Sequence, residues 1–453
     1  VTKKSKLITI VICCLGFLSI NLLFVSASWA KNTTLHIDIY GPGQKKVNLF
    51  MTAPHPLETE KLQNASIPSS VFKLNDLLVN NIRYLPFVKQ VSKEDILGEK
   101  GIKGIKASDI DFKRFKLSQV DLLMTYGWKL NKGNKVQVEI RIFDVFTSSL
   151  LLGRGYVIAQ KEQVFRVANR FCAGLMQQLT GRSGFFKSKI AFVKKKQQKK
   201  EIYVSTPQGY GQKQLTDLKE ICLSPTWSWD GSTIAFTFVN KDKHELMLWD
   251  RNTGKLEHIF LPGNTIISPA FKPGNSLTIS VDPQGNPDIY LLDHEWELDH
   301  PIIQNWAIDI SPDFDRSGRN MVFVSSRLGN PHIFLKDMKT KSITRISYEG
   351  TYNTNPSISP NARFVSYSRL TDEGHRIIVY DRKRDEERQI TFGSGNDEDP
   401  AWGPDGYFLA FASDRTGKYQ LYLTTRHGDF VRKIPTGTNE AKSPAWGPVK
   451  DID

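Results

Sequence analysis

Beyond residue 190 the chain is dominated by short runs in which apolar and polar positions alternate. Alternation at period two marks half-buried strands. One set reads "TIAFTF", "LTIS", "MVFVSS", "FVSYS" and "FLAFAS"; a second reads "ELMLWD", "DIYLLD", "HIFLKD", "RIIVYD" and "QLYLTT". A weaker third set includes "KLEHIF", "SITRIS", "ERQITF" and "FVRKIP". The sets share one period, kept most clearly by a proline at Pro225, Pro269, Pro312, Pro356, Pro400 and Pro444, with steps of 44, 43, 44, 44 and 44. Two residues after each proline stands a large apolar side chain: Trp227, Phe271, Phe314, Ile358, Trp402 and Trp446. Turn chemistry follows, as in Asp230-Gly231, Ser317-Gly318 and Asp405-Gly406, where the chain needs a positive φ.

Four short strands in 44 residues cannot bury both faces of their own sheet. Units of this length stack radially, which predicts a β-propeller. The strand pattern extends one unit upstream, to "IAFV" at 190 and "EIYVST" at 201, but Gly181 stands where the proline falls due. Downstream, "SPAWGP" at 443–448 restarts the motif without completing it. The two incomplete units complement each other. The spacing therefore predicts six blades, closed by pairing the C-terminal strand beside the one that begins near Ile190, which hides two open edges.

Residues before 184 lack the repeat. Residues 68–84 pattern as a helix, "VDLLMTYGWKL" and "KVQVEIRIFDVFTSSLLLGRGYVI" as a strand meander, and "KKVNLFMT" as a further strand. In 161–180, Phe165, Ala168, Cys172, Leu175 and Leu179 recur at helical spacing and predict one buried face. The first thirty residues combine Lys3, Lys4 and Lys6 with an apolar stretch and a small-x-small exit at Ser28 and Ala30, the pattern of a cleaved secretory signal. The expected organisation is a signal peptide at 1–30, an N-terminal α/β domain at 31–183 and a propeller at 184–453. The fold class is mainly β with a smaller α+β domain.

Net charge is +14 and falls by three once the signal is removed. A basic surface suits anionic polymers, lipid headgroups or acidic partners, but no nucleic-acid motif accompanies it. Cys172 and Cys222 remain after the signal; the reading favours two buried free thiols over a disulfide. No nucleophile elbow, H-E-x-x-H, C-x-x-C or phosphate loop is present. The expectation is no catalytic residue, no cofactor and no metal. "NDEDP", with Asp397, Glu398 and Asp399, reads as a solvated loop in preference to a cation site or partner contact. The lysines of "VKKKQQKKEIY" read as an exposed hairpin tip, and the repeated tryptophans as core between blades.

The order of these features resembles the TolB family. It is most specific in the joint "LTGRSGFFKSKIAFV" and in the final "SPAWGP". The resemblance implies a monomeric, non-enzymatic protein of the periplasm. It would bind the lipoprotein Pal through one mouth of the propeller and TolA through its first mature residues, and support outer-membrane integrity and constriction at division. Carried over residue by residue, the TolA-binding segment covers Thr34, Leu35, His36, Ile37, Asp38, Ile39 and Tyr40, an alternating strand able to add to a partner sheet. The Pal-binding positions are Thr265, Ile266, Ser268 and Ile310. Here the sequence departs from the family pattern: Asn264, Thr265, Ile266 and Ile267 replace an Arg-His-Asn-Gly stretch, and Ile310 replaces a hydroxyl residue. The implied contact is more apolar. The alternative reading is a secreted propeller that binds or hydrolyses an envelope glycan or peptide.

Overall fold

A computed structural model describes residues 45–58, 66–97, 102–241, 243–283 and 285–449. The signal-peptide reading and the 34–40 segment fall outside these residues.

The first part is a sheet with the strand order Val88–Gln90, Val47–Met51, Leu122–Leu130, Val136–Asp144, Ser149–Ile158. Val47–Met51 runs parallel to both its neighbours, and the other pairings on this path are antiparallel. Helix α1 (Ser69–Ile82) and, after the short α2 (Phe112–Leu117), helix α3 (Gln163–Thr180) pack together over this sheet. The α3 stripe is buried at Ala168, Cys172, Leu175 and Leu179, with Phe165 half-covered. The covered face is wider than the stripe predicted, taking in Val164, Phe171 and Met176. Gly181 ends α3 at φ 70°, its N–H closing on the Gln177 carbonyl, so glycine rather than proline belongs there. One turn of helix, α4 (Gly184–Lys187), then leads to the strand at Ile190.

The rest is antiparallel strands in the predicted rhythm. Four four-stranded sheets begin with Ile266–Phe271, Asp309–Phe314, Asn353–Ile358 and Asp397–Trp402. An eight-stranded sheet combines two further units. One runs Ile221–Trp227, Thr233–Asn240, Lys243–Asp250 and Leu256–Ile259; the other is Ala441–Trp446, Ile190–Lys196, Lys199–Ser205 and Lys213–Gln214. A single parallel bridge, Ile221 to Lys200, joins them. The strand at 441–446 pairs antiparallel with the one at 190–196, Trp446 opposite Ile190 and Ala441 opposite Lys194, as the interrupted motif requires. Each proline-bearing strand touches the next one in order, and Ala441–Trp446 touches Ile221–Trp227 as well as Asp397–Trp402.

The core lies between sheets. Ala235, Leu246 and Leu248 pack against Phe271, Ile279 and Tyr290 of the following sheet. Phe364, Ile377 and Val379 do the same with Trp402, Leu409 and Phe411. Each large aliphatic or phenylalanine side chain among these contributes about 1.5–3 kcal/mol by leaving water. Trp402 is 6% exposed and donates its indole N–H to the Ser357 carbonyl of the preceding sheet at 3.1 Å. The tryptophans at 227 and 402 are thus core, as read from the repeat. Cys172 and Cys222 are buried free thiols.

A polar joint ties the two halves of the described chain. Asn81 of α1 donates to Asn169 of α3 at 2.9 Å, and the Gln208 amide reaches both at 3.3 Å from the loop after Ser205. The Tyr84 hydroxyl donates to the Gln208 carbonyl, and the Arg432 guanidinium lies 4.2 Å from the Tyr84 ring centre. Phe185 of α4 packs on Phe408 at 4.5 Å, and Trp446 donates to Ser188 at 2.5 Å.

Replacing Trp402 by alanine opens a cavity between two sheets and removes the shorter of the two side-chain hydrogen bonds to the Ser357 carbonyl. The expected cost is about 3–5 kcal/mol of unfolding free energy, measured by urea denaturation followed by circular dichroism.

Candidate functional site

The six proline-bearing strands surround a cavity of about 400 Å³. The residue before each proline is polar: Ser224, Ser268, Ser311, Asn355, Asp399 and Ser443. All six hold φ between 48° and 58°, a conformation uncommon outside glycine. Each also sits at a register shift in the pairing of its strand. The bulge therefore recurs six times and turns one polar side chain per strand toward the cavity. Neighbours in this ring bond to each other. The Ser268 and Ser311 hydroxyls lie 3.4 Å apart, Asn355 donates to Asp399 at 3.0 Å, and Ser443 donates both its N–H (3.0 Å) and its hydroxyl (3.2 Å) to the other Asp399 oxygen. Reading only the proline and the aromatic misses this ring; its signal was the polar residue one place earlier at every period.

Two carboxyl groups in this wall are raised. Burial pushes Asp313 up to about 6, and Asp315 adds to the rise; hydrogen bonds from Ile358, Ser357 and Phe314 pull the other way. Burial likewise raises Asp399, against the pull of Lys442 and the Ser443 bonds.

The cavity wall runs from the pre-proline residues toward the turns that follow the strands, at Trp229, Arg316, Pro360 and Pro404. At the other end of the strands, the loops that enter them and the hairpins beside them form a mouth. Backbone bonds fix the two together: Ser326 N–H to the Ile308 carbonyl, Leu370 N–H to Tyr352, Lys195 N–H to Glu440. Buried ionic contacts stiffen this mouth. Arg327 pairs with Asp309 at 3.0 Å and Arg415 with Asp397 at 2.7 Å, the two aspartates being 0% and 1% exposed. Arg376, almost wholly buried, donates to the carbonyls of Glu373, His375, Gly393 and Gly395. The solvated-loop reading of 397–399 is thus corrected. These residues start a strand, with Asp397 ion-paired inside, Glu398 held by Tyr419 and Lys442, and Asp399 in the cavity wall. The acids looked like a loop because their partners lie 18 to 44 residues away in the chain.

Around the rigid parts, large apolar side chains stay in solvent: Phe260, Trp306, Leu328, Tyr348, Leu370 and Phe392, from 45% to 77% exposed. All lie on entering loops or hairpin ends at this mouth.

The four carried-over mouth positions fall in different surroundings. Thr265 is half-buried in a loop whose N–H groups at 264 and 265 converge on the Asp282 carboxylate, at 2.8 and 2.6 Å. Ser268 belongs to the polar ring. Ile310 is half-buried against the core around Val322 and Ile358. Ile266 is 2% exposed and faces the core of its own sheet. Thr34 through Tyr40 lie outside the described residues.

Residues 176–450 match the family model described as the TolB beta propeller domain. The "Tol-Pal system protein TolB" of Nitratidesulfovibrio vulgaris is 40% identical over 295 residues, 65% of this chain and 66% of that protein. The protein of the same name from Desulfosudis oleivorans is 33% identical over 233 residues, 51% of this chain and 52% of its own. The matched stretch thus spans just under two thirds of the first relative and about half of the second. The crystal structure of TolB from Acinetobacter baumannii aligns with a TM-score of 0.76 at 21% identity, covering 91% of this chain and 100% of that one, a likeness of fold.

Asp313 gives a pH test. Its carboxyl holds a proton more tightly folded than unfolded, so its contribution to stability is full at low pH and is lost as pH rises through about 6. Asp313→Asn is expected to flatten the fall in unfolding free energy between about pH 4 and pH 7, a span worth on the order of 2–3 kcal/mol. Urea midpoints across that range measure it.

Proposed function

Because this chain belongs to the TolB β-propeller family and has its mainly β propeller fold, we propose that it is a periplasmic interaction protein of a Tol–Pal system. In this reading the six sheet units form a closed six-bladed ring on an N-terminal α/β domain at 31–183, and the chain performs no catalysis. Its mouth receives the Pal lipoprotein, its first mature residues engage TolA, and the pair of contacts supports outer-membrane integrity and constriction at division.

The observation that carries this reading is the set of solvent-exposed apolar side chains held on pinned loops at the mouth. Exposed aromatics cost solubility and do nothing for the core, so a cluster on one rigid face marks a binding surface. The pinning means little ordering is left to be done on association. Trp306, 72% exposed in the loop that leads into Asp309–Phe314, has the chemistry of an interface anchor. Thr265, Ser268 and Ile310 would border the contact, with Ile266 supporting it from beneath. The TolA contact rests on the alternation of Thr34, Leu35, Ile37 and Ile39, which suits strand addition to a partner sheet.

Trp306→Ala combined with Tyr348→Ala is expected to weaken capture of the Pal periplasmic domain tenfold or more, read by isothermal titration calorimetry; equal affinity sinks the mouth as the site. Deleting residues 31–42 is expected to abolish TolA binding and spare the Pal contact, read by co-purification of both partners.

A further inference from the structure

The hairpin between Ile190–Lys196 and Lys199–Ser205 sets like charges against each other. Lys195 stands opposite Lys200, and Lys196 opposite Lys199. Directly opposed like charges destabilise an antiparallel ladder, and the crowding with Lys195 and Lys442 depresses Lys200 further after burial. Lysine often serves to guard a free sheet edge, but both strands are paired on their outer sides below the tip, as far as Lys194 and Lys200. Ile190–Lys196 pairs with Ala441–Trp446, and Lys199–Ser205 with Lys213–Gln214 and Ile221. Lys195 pairs with Glu440 at 3.4 Å; Lys196 and Lys199 are exposed at the tip. The facing charges at Lys196 and Lys199 cost the hairpin stability, which points to a use outside the fold.

The tip belongs to the mouth, since Lys195 N–H bonds Glu440 and Lys200 N–H bonds Glu220, both in loops entering inner strands. The next hairpin adds exposed Lys241 and Lys243, and the loop between adds exposed Lys219 beside exposed Asp217 and Glu220, so lysines outnumber acids on this side. Across the mouth acids are exposed: Glu349, Asp372 and Glu373 on the loop and hairpin of the sheet that begins at Asn353, Glu349 paired with the buried Arg369 at 2.8 Å and Glu373 with the buried Arg376 at 3.6 Å. The apolar side chains from Trp306 to Leu370 lie on the acidic side.

We propose that this mouth is an electrically two-sided docking surface, on which the lysine hairpin recruits an acidic patch of a protein partner while the opposite rim takes basic residues. A uniformly anionic lipid surface would be repelled by the acidic rim; a partner with patterned charge satisfies both. The inference rests on the proposed Pal contact and adds the chemistry and orientation of that partner.

The test uses the full chain and three variants: Lys196→Gln with Lys199→Gln and Lys200→Gln; Asp372→Asn with Glu373→Gln; and the Trp306→Ala chain. Stopped-flow association with the Pal periplasmic domain is followed at several salt concentrations. The lysine variant is expected to lose about tenfold in on-rate at low salt, with little change in off-rate, and the difference is expected to vanish at high salt. It should melt no lower than the parent, because the opposed charges are gone. The acidic-rim variant is expected to slow association as well. An unchanged on-rate and salt slope in a lysine variant that still binds overturns this inference alone. Absence of Pal binding by the parent chain overturns the proposed partner and this inference with it. Lysine-dependent binding to phosphatidylglycerol vesicles, strengthened in the acidic-rim variant, overturns it in favour of a lipid surface.

Discussion

The pairing of Ala441–Trp446 with Ile190–Lys196 is the contact on which the rest depends. Without it, the sheet that starts at Ile190 loses its proline-bearing strand, and the polar ring loses Ser443, which supplies two of the bonds on Asp399. The joint to the first part of the chain is also weakened, because Trp446 is the residue that meets Ser188 and Phe185. One backbone ladder thus fixes the cavity wall, the placement of α4 and the neighbour of the lysine hairpin together.

The mouth shows how stability and recognition divide the labour. Ion pairs enclosed at Asp309 and Asp397 are costly to desolvate and earn little net stability on their own. Their value is positional: each locks an entering loop to the hairpin beside it. Arg376 does the same through four carbonyls. The side chains left to water on these loops include large apolar ones such as Trp306, Leu328 and Phe392.

Much of the fold was legible because it repeats. A proline, an aromatic two places on and a turn recur at a fixed period, so strand order, the tryptophan core and even the interrupted first unit followed from spacing. Local pattern also found α1, α3 and the meander. What resisted reading was tertiary. The Asn81–Asn169–Gln208 joint spans 127 residues of chain, and nothing in amide side chains on two helices announces a third in a loop. The acids at 397–399 looked solvated since their partners are remote. The polar ring had a periodic signal, but proline and tryptophan drew the eye past it. Ile266 was singled out by position in a motif, whereas the alternation of its strand turns it inward.

The strand at 441–446 is synthesised about 250 residues after the one it completes. Until it arrives, the ladder of Ile190–Lys196 is bare along one side and the flank of Asp397–Trp402 lacks its neighbour. A nascent or truncated chain therefore carries its own flag of incompleteness, an open seam that proteases and holdase chaperones can recognise. Quality control for this architecture is written into the order in which its strands are made.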